Sequence, residues 1–300
     1  MAFRLPAWFL RGIMRLILKP FLGPPLPVGF QRFWLRLTSN ANAPSRRALV
    51  ERLDIDGMSS IRACPRDAEP RQAVLYLHGG GYCVGSWGSH KGPITHLAVA
   101  ANAEVYAPNY RLAPEHPYPA AVEDALGAYR WLLAKTMSPE RIALAGDSAG
   151  GGLAFATAIA IRDAGLPAPS SVALISPWVD LSASAPAIEA NAKIDPMLRP
   201  SWTRSCSAMY RDGLDSSDPG CSPLFASHRG LPPVLIQTGS DEIIVDDSIR
   251  LDARCREAGV DVTLQVFEGM WHDFQSHAGI LEEGDEAMSK IAEFLNAHWR

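Results

Sequence analysis

The stretch Arg141-Ile142-Ala143-Leu144-Ala145-Gly146-Asp147-Ser148-Ala149-Gly150-Gly151-Gly152 constrains the fold more than any other part of the chain. An apolar run of strand character ends at a serine set among small residues, and an alanine-rich helical pattern follows over about 149–164. A serine on so sharp a strand-to-helix turn stands above the sheet edge with its Oγ free to attack. Glycine is needed at Gly146 and Gly150, because side chains there would collide where strand and helix fold back. A turn in which Ser148 merely caps the helix carries the same G-x-S-x-G pattern, so its meaning depends on what the rest of the chain supplies.

The rest of the chain repeats the strand-then-helix rhythm. Ala48–Ile55 and Ser59–Ala63 read as short strands joined by the hairpin signal Asp56-Gly57. Ala73–Leu77 is a continuous apolar run, as expected for a strand covered on both faces. Helical patterns at 89–101, 120–134, 149–164, 246–258 and 286–297 alternate with strand patterns at 104–107, 142–145, 172–176, 233–238 and 262–267. This alternation predicts an α/β fold: a mostly parallel central sheet of about eight strands, with helices on both faces and right-handed crossovers. Residues 182–223 break the rhythm with Trp202, Met209, Tyr210 and several prolines. Inserted between two strands, they are expected to form a helical cap over the C-terminal edge of the sheet, where such folds bind ligands. The expected organisation is therefore an N-terminal cap segment, 1–45, and a body, 46–300, with the insertion at about 182–223.

Composition bounds the function. With 300 residues, 47% hydrophobic and 20% charged, the chain can bury a large core. A net charge of -4 argues against a nucleic-acid binder. The charge is uneven: residues 1–52 hold nine Lys or Arg against Glu51 alone, for +8, leaving -12 on the remainder. Five scattered cysteines without C-x-x-C spacing point away from zinc or a disulfide framework and towards a reducing compartment, so a cytoplasmic location is expected. Arg11, Arg15 and Lys19 interrupt the segment Pro6–Leu22 every four residues, so this segment is not expected to act as a signal peptide, and no apolar run is long enough to span a membrane. At that spacing the three charges share one helix face, opposite Trp8, Phe9, Ile13, Leu16 and Ile17. The expectation is that this apolar face packs on the protein's own body; weak contact with an anionic membrane surface is the alternative.

A serine hydroxyl becomes nucleophilic when a base takes its proton and a third group holds that base. Among eight histidines, His272 is the strongest base candidate, because it follows the last strand at the edge where Ser148 emerges; His277 is the competitor. For the orienting acid, Asp241 is closest to the end of strand 233–238, with Glu242 as its rival, while Asp246 or Asp247 suits the start of the next helix. The order Ser148, Asp241, His272 is that of α/β-hydrolases. His78-Gly79-Gly80-Gly81 follows a buried strand, so the N–H groups of Gly80 and Gly81, with that of Ala149, are candidate oxyanion donors. His78 and Gly79 are expected to support that loop. No nucleotide-binding glycine pattern is present.

Together with Tyr110-Arg111-Leu112-Ala113-Pro114-Glu115-His116-Pro117-Tyr118-Pro119-Ala120 and Ser176-Pro177-Trp178-Val179-Asp180, these motifs resemble the hormone-sensitive-lipase-like carboxylesterases, the bacterial family IV of the α/β-hydrolase fold. The likeness covers about residues 45–300. It implies a serine carboxylesterase that hydrolyses short-acyl esters through an acyl-enzyme, with no cofactor or metal. It also implies the triad Ser148, Asp241 and His272, oxyanion donors at Gly80, Gly81 and Ala149, a two-part cap, and a possible homodimer. Lactonase, amidase or acyltransferase chemistry would use the same triad, an interfacial lipase would dock through the basic N-terminal helix, and a catalytically silent receptor would have lost a catalytic residue. The chain departs from the family in two places. Glu242 stands where many relatives have proline, and Asp273, directly after His272, would raise that histidine's pKa if its carboxylate turned inward; the expectation is that it points to solvent or pairs elsewhere.

Overall fold

The computed structural model describes residues 4–39, 43–135 and 138–300. Its central sheet contains β1 (Ala48–Ile55), β2 (Met58–Pro65), β3 (Ala73–Leu77), β4 (Glu104–Pro108), β5 (Ile142–Asp147), β6 (Ser171–Ile175), β7 (Val234–Gly239) and β8 (Val262–Phe267). They lie in the order β1-β2-β4-β3-β5-β6-β7-β8. Only the pairs β1–β2 and β2–β4 are antiparallel. Asp56 and Gly57 join β1 to β2 with φ of 49° and 87°, the left-handed conformations that a two-residue hairpin requires.

Strands with both faces covered need apolar residues at every position, and β3 and β5 are buried throughout. Because successive side chains point to opposite faces, Leu75, Leu77, Ile142 and Leu144 join one core, and Val74, Tyr76, Ala143 and Ala145 the other. The first core is covered by α4 (Ala120–Ala134), α5 (Ala149–Asp163) and α8 (Val245–Glu257), and the second by α3 (Lys91–Ala101) and α9 (Glu282–His298). Helix α9 begins four residues before the expected start. Its first turn holds Glu282, Glu283 and Asp285, which suit the positive end of a helix but carry no apolar periodicity.

Above the C-terminal edge of the sheet, two segments meet. The N-terminal one contains α1 (Ala7–Ile13), which continues into a wider turn at Met14–Leu18, and α2 (Val28–Thr38). The other, between β6 and β7, contains α6 (Ala187–Ala190) and α7 (Pro200–Arg211). Trp202 Nε1 donates to Gln31 Oε1 at 3.0 Å, and Arg199 donates to the carbonyl of Leu22. Asp246 and Asp247 do not cap α8. Their carboxylates instead hold the start of the second segment, Asp247 accepting the N–H groups of Val179 and Asp180 and Asp246 that of Ala187.

The N-terminal segment is turned over relative to the sequence expectation. Arg11 donates to Asp241 and Gly269, Arg15 to the carbonyls of Lys193 and Ile194, and Lys19 to those of Ala192 and Asp195. The basic face therefore lies on the body, while Trp8 (73% exposed), Phe9 and Leu16 (74%) face outwards. Backbone carbonyls on residues 192–195 supply acceptors that the cations satisfy better than leucine could. Leu10 and Met14 alone in this stretch are buried. Among the described residues no helix is long and apolar enough to cross a membrane, and no cluster of His, Cys, Asp and Glu is arranged to hold a metal. All five cysteines are buried and unbridged.

Candidate active site

β5 ends at Asp147, and α5 starts at Ala149, so Ser148 alone makes the turn, at φ 54° and ψ -123°. A non-glycine residue is held there only when its surroundings fix it. Ser148 N–H donates to the carbonyl of Ile175 on the neighbouring strand at 2.8 Å, and the Ser148 carbonyl accepts from Gly152 and Trp178. A Cβ on Gly146 would strike the carbonyl of Gly150, and one on Gly150 the carbonyls of Leu77 and His78. The close fold-back that the sequence demands is thus present in the backbone.

His272 lies in the loop beyond β8, 1% exposed. Its Nε2 is 2.9 Å from Ser148 Oγ, and its Nδ1 is 2.9 Å from Glu242 Oε2. With the Glu242 carboxyl oxygen accepting at Nδ1, the neutral ring carries its hydrogen on Nδ1 and presents a lone pair at Nε2 to the serine hydroxyl.

The acid differs from the one expected. Asp241, expected to orient His272, turns outward and pairs with Arg11 at 2.7 Å, each side chain about a quarter exposed. Glu242 is fully buried, and its Oε1 accepts Ser176 Oγ at 2.6 Å, the Gly239 N–H at 2.5 Å and Thr238 Oγ1 at 3.1 Å. Three donors converge on this carboxylate, and none of them is aimed at Asp241. Distance from the strand end is therefore a poor guide within a turn, where adjacent side chains point opposite ways. The absence of proline at position 242 was the usable signal, together with the apolar run Ile243-Ile244-Val245, which carries its neighbour into the interior.

Asp273 turns inward, contrary to expectation. Its Oδ2 is 3.2 Å from His272 Nε2, so the ring lies between two carboxyl groups. Burial disfavours the charged ring, but Asp273, then Glu242 and Asp195, outweigh it and hold His272 at about 9. Burial pushes the Asp273 carboxyl well above its usual range against the pull of His272, so the two groups titrate as a pair. His277 is buried in the short turn Phe274–His277 and does not reach Ser148; burial lowers it to about 4.

The glycine loop is braced from below. Asp147 accepts Tyr76 OH at 2.6 Å and Gly79 N–H at 3.0 Å, and its Oδ2 is 3.1 Å from His90 Nε2. Burial works against its charge, but His90 and Tyr76 outweigh it and lower its pKa. His78 Nδ1 donates to the Gly79 carbonyl, and its ring stacks on Tyr110, whose hydroxyl donates to the His78 carbonyl. Burial and the neighbouring His90 lower His78 to about 3, so it is uncharged and serves the loop's shape. Gly80 has φ 121°, open to glycine alone, and a Cβ there would meet the Val84 carbonyl. Among the described residues the N–H groups of Gly80 and Gly81 donate to no protein acceptor. Ala149 opens α5, where helix geometry also leaves an N–H without an internal partner.

Comparisons with known proteins agree with this fold. A family model described as the alpha/beta hydrolase fold matches residues 74–276. An acetyl-hydrolase of Streptomyces hygroscopicus is 42% identical over 224 residues, 75% of each chain. An ethyl acetate hydrolase of Pseudomonas putida is 34% identical over 236 residues, 75% of this chain and 73% of its own. Among solved structures, an esterase from the bacterial hormone-sensitive lipase family superposes with a TM-score of 0.93 at 38% identity, covering 98% of both chains.

Proposed function

This chain belongs to the hormone-sensitive-lipase-like branch of the α/β-hydrolases and is a carboxylic-ester hydrolase, and on that premise we propose that it cleaves short-acyl esters through a triad of Ser148, His272 and Glu242. The observation that carries the reading is the unbroken relay from Ser148 Oγ through both ring nitrogens of His272 to Glu242, at 2.9 Å on each side.

In the first half-reaction His272 Nε2 takes the hydroxyl proton as Ser148 Oγ bonds to the ester carbonyl carbon. Negative charge then develops on the carbonyl oxygen, and the N–H groups of Gly80, Gly81 and Ala149 meet it. Each donor contributes on the order of 3 kcal/mol of transition-state stabilisation. As the carbon–oxygen bond breaks, the imidazolium returns its proton to the departing alkoxide. Water then attacks the acyl-enzyme with His272 again as base, releasing the acid and restoring the serine. Glu242 holds the ring in the tautomer that faces the serine. The described residues of the segment 1–45 and the segment 182–223 together form the cap over this site, in keeping with their meeting above the sheet edge. The names of the Streptomyces and Pseudomonas relatives support an acetyl group as the short acyl chain.

The test is Ser148→Ala. Ester turnover is expected to fall on the order of 10⁵-fold while the circular-dichroism spectrum is unchanged. Near-native turnover in that variant, or an active-serine phosphonate bound to another residue, would overturn the reading.

A further inference from the structure

Two spaces of very different size meet the turn that carries the proposed nucleophile, the narrow one lined by Ser148 and the wide one by Asp147 before it, and they share no lining residue. The narrow cleft, about 10 Å³, is bounded by Gly81, Ser148, Leu198, Trp202, Cys206 and Ile244. It has room for one group of about the size of a water molecule. The wide cavity, about 380 Å³, has an apolar wall of Ile13, Met14, Ile17, Leu35 and Leu37 from the N-terminal segment. That is the size of a site for a whole small ligand.

The chemistry of the reaction orients an ester between them. The leaving oxygen must reach His272 Nε2 to receive its proton. Asp273, whose Oδ2 lies 3.2 Å from that nitrogen, lines the wide cavity, as does Asp147 beside the serine. The narrow cleft instead touches Gly81 and Ser148, where the acyl carbon and its oxygen are held. The wide cavity also has polar groups on its wall, from His90, Asp273 and the part-exposed Ser276, that a hydroxyl on a ligand can bond.

Resting on the esterase reading above, we infer that the protein selects esters of a very short acid with a bulky, mainly apolar alcohol that carries a hydrogen-bonding group. The acyl methyl enters the cleft floored by Trp202 and Cys206. The alcohol's body lies on Ile13, Met14 and Leu35, with its polar group at Asp273 and Ser276. Discrimination therefore runs in opposite directions on the two sides of the ester bond.

Two ester series measured by proton release on the whole protein test this. Along ethyl acetate, butyrate, hexanoate and octanoate, kcat/KM is expected to fall by at least about tenfold by hexanoate. Along ethyl, cyclohexylmethyl and ring-hydroxylated cyclohexylmethyl acetates it is expected to rise, by about tenfold at the second member and again at the third. Leu35→Trp, which fills the wide cavity, should reduce the cyclohexylmethyl-to-ethyl ratio of the acetates about tenfold. Leu198→Ala, which widens the cleft, should move the acyl cutoff to longer chains. Each ratio is internal to one variant, so a general loss of stability does not mimic it. A preference for long acyl chains, or ratios insensitive to both substitutions, would overturn the assignment while leaving the protein an esterase. No hydrolysis of any ester in either series would overturn both.

Discussion

β5 and the N-terminal segment both carry apolar residues in a regular pattern, yet they place them in opposite ways. In β5 each side chain is buried against one of two helix layers, and sterics leave no other arrangement for Gly146 and Gly150. In α1 and the turn after it the pattern is equally regular, but the cations face the body and Trp8 and Leu16 face outwards. Hydrophobic periodicity shows that a helix has two unlike faces. Which face turns inward depends on what the neighbouring chain offers, and here residues 192–195 offer bare carbonyls.

The sharpest test of this contrast lies where the two regions meet, at the adjacent acids Asp241 and Glu242. Glu242 belongs to the buried site and Asp241 to the anchorage of Arg11. Glu242→Gln is expected to lower kcat on the order of 10⁴-fold, since an amide favours the wrong ring tautomer. Asp241→Asn should leave kcat within a few-fold and cost about 1 kcal/mol of stability, read as a lower Tm. If Asp241→Asn gives the larger loss of turnover, the acid has been misplaced and the two regions are not separable at this point.

These residues also show how far the sequence could be read. Ser148 and the loop at Gly79–Gly81 were legible because each follows a buried strand among small residues, and His272 because its loop follows the last strand. Helix α4 and strand β8 were legible to the residue, since apolar residues recur up to both of their ends. The choice between Asp241 and Glu242 was not, because it turns on Ser176, Thr238 and the Gly239 N–H, which come together only in the fold. The direction of Asp273 was equally hidden. Its φ of 56° swings the side chain back towards His272, and nothing in the local pattern specifies that conformation.

The inward turn of Asp273 has a measurable consequence for pH. A base must be uncharged to take a proton, so activity follows the neutral fraction of His272. With that ring held at about 9, kcat/KM should climb with pH and the acid limb of its profile should centre near 9. The groups around it are Glu242 on the β7 side, Asp195 from the segment carrying α6, and Asp147 and His90 beyond Asp273. Asp273 is the largest of the influences raising it. Asp273→Asn should therefore move the limb to lower pH and raise turnover of ethyl acetate at pH 7. An unmoved limb would show that the second carboxyl does not govern the ring.

The smallest effects should come from the N-terminal segment, and there the ordering of effects matters more than their size. If its polar face is the adhesive one, Lys19→Ala loses two bonds to the carbonyls of Ala192 and Asp195 and costs about 1–2 kcal/mol. Leu16→Gln, at a side chain 74% exposed, should change stability by no more than about 0.5 kcal/mol. Urea titrations of the two variants decide between the faces. A larger loss from Leu16→Gln than from Lys19→Ala would mean that the apolar face packs inward after all. Amphipathic periodicity would then have pointed the right way, and the contrast with β5 would disappear.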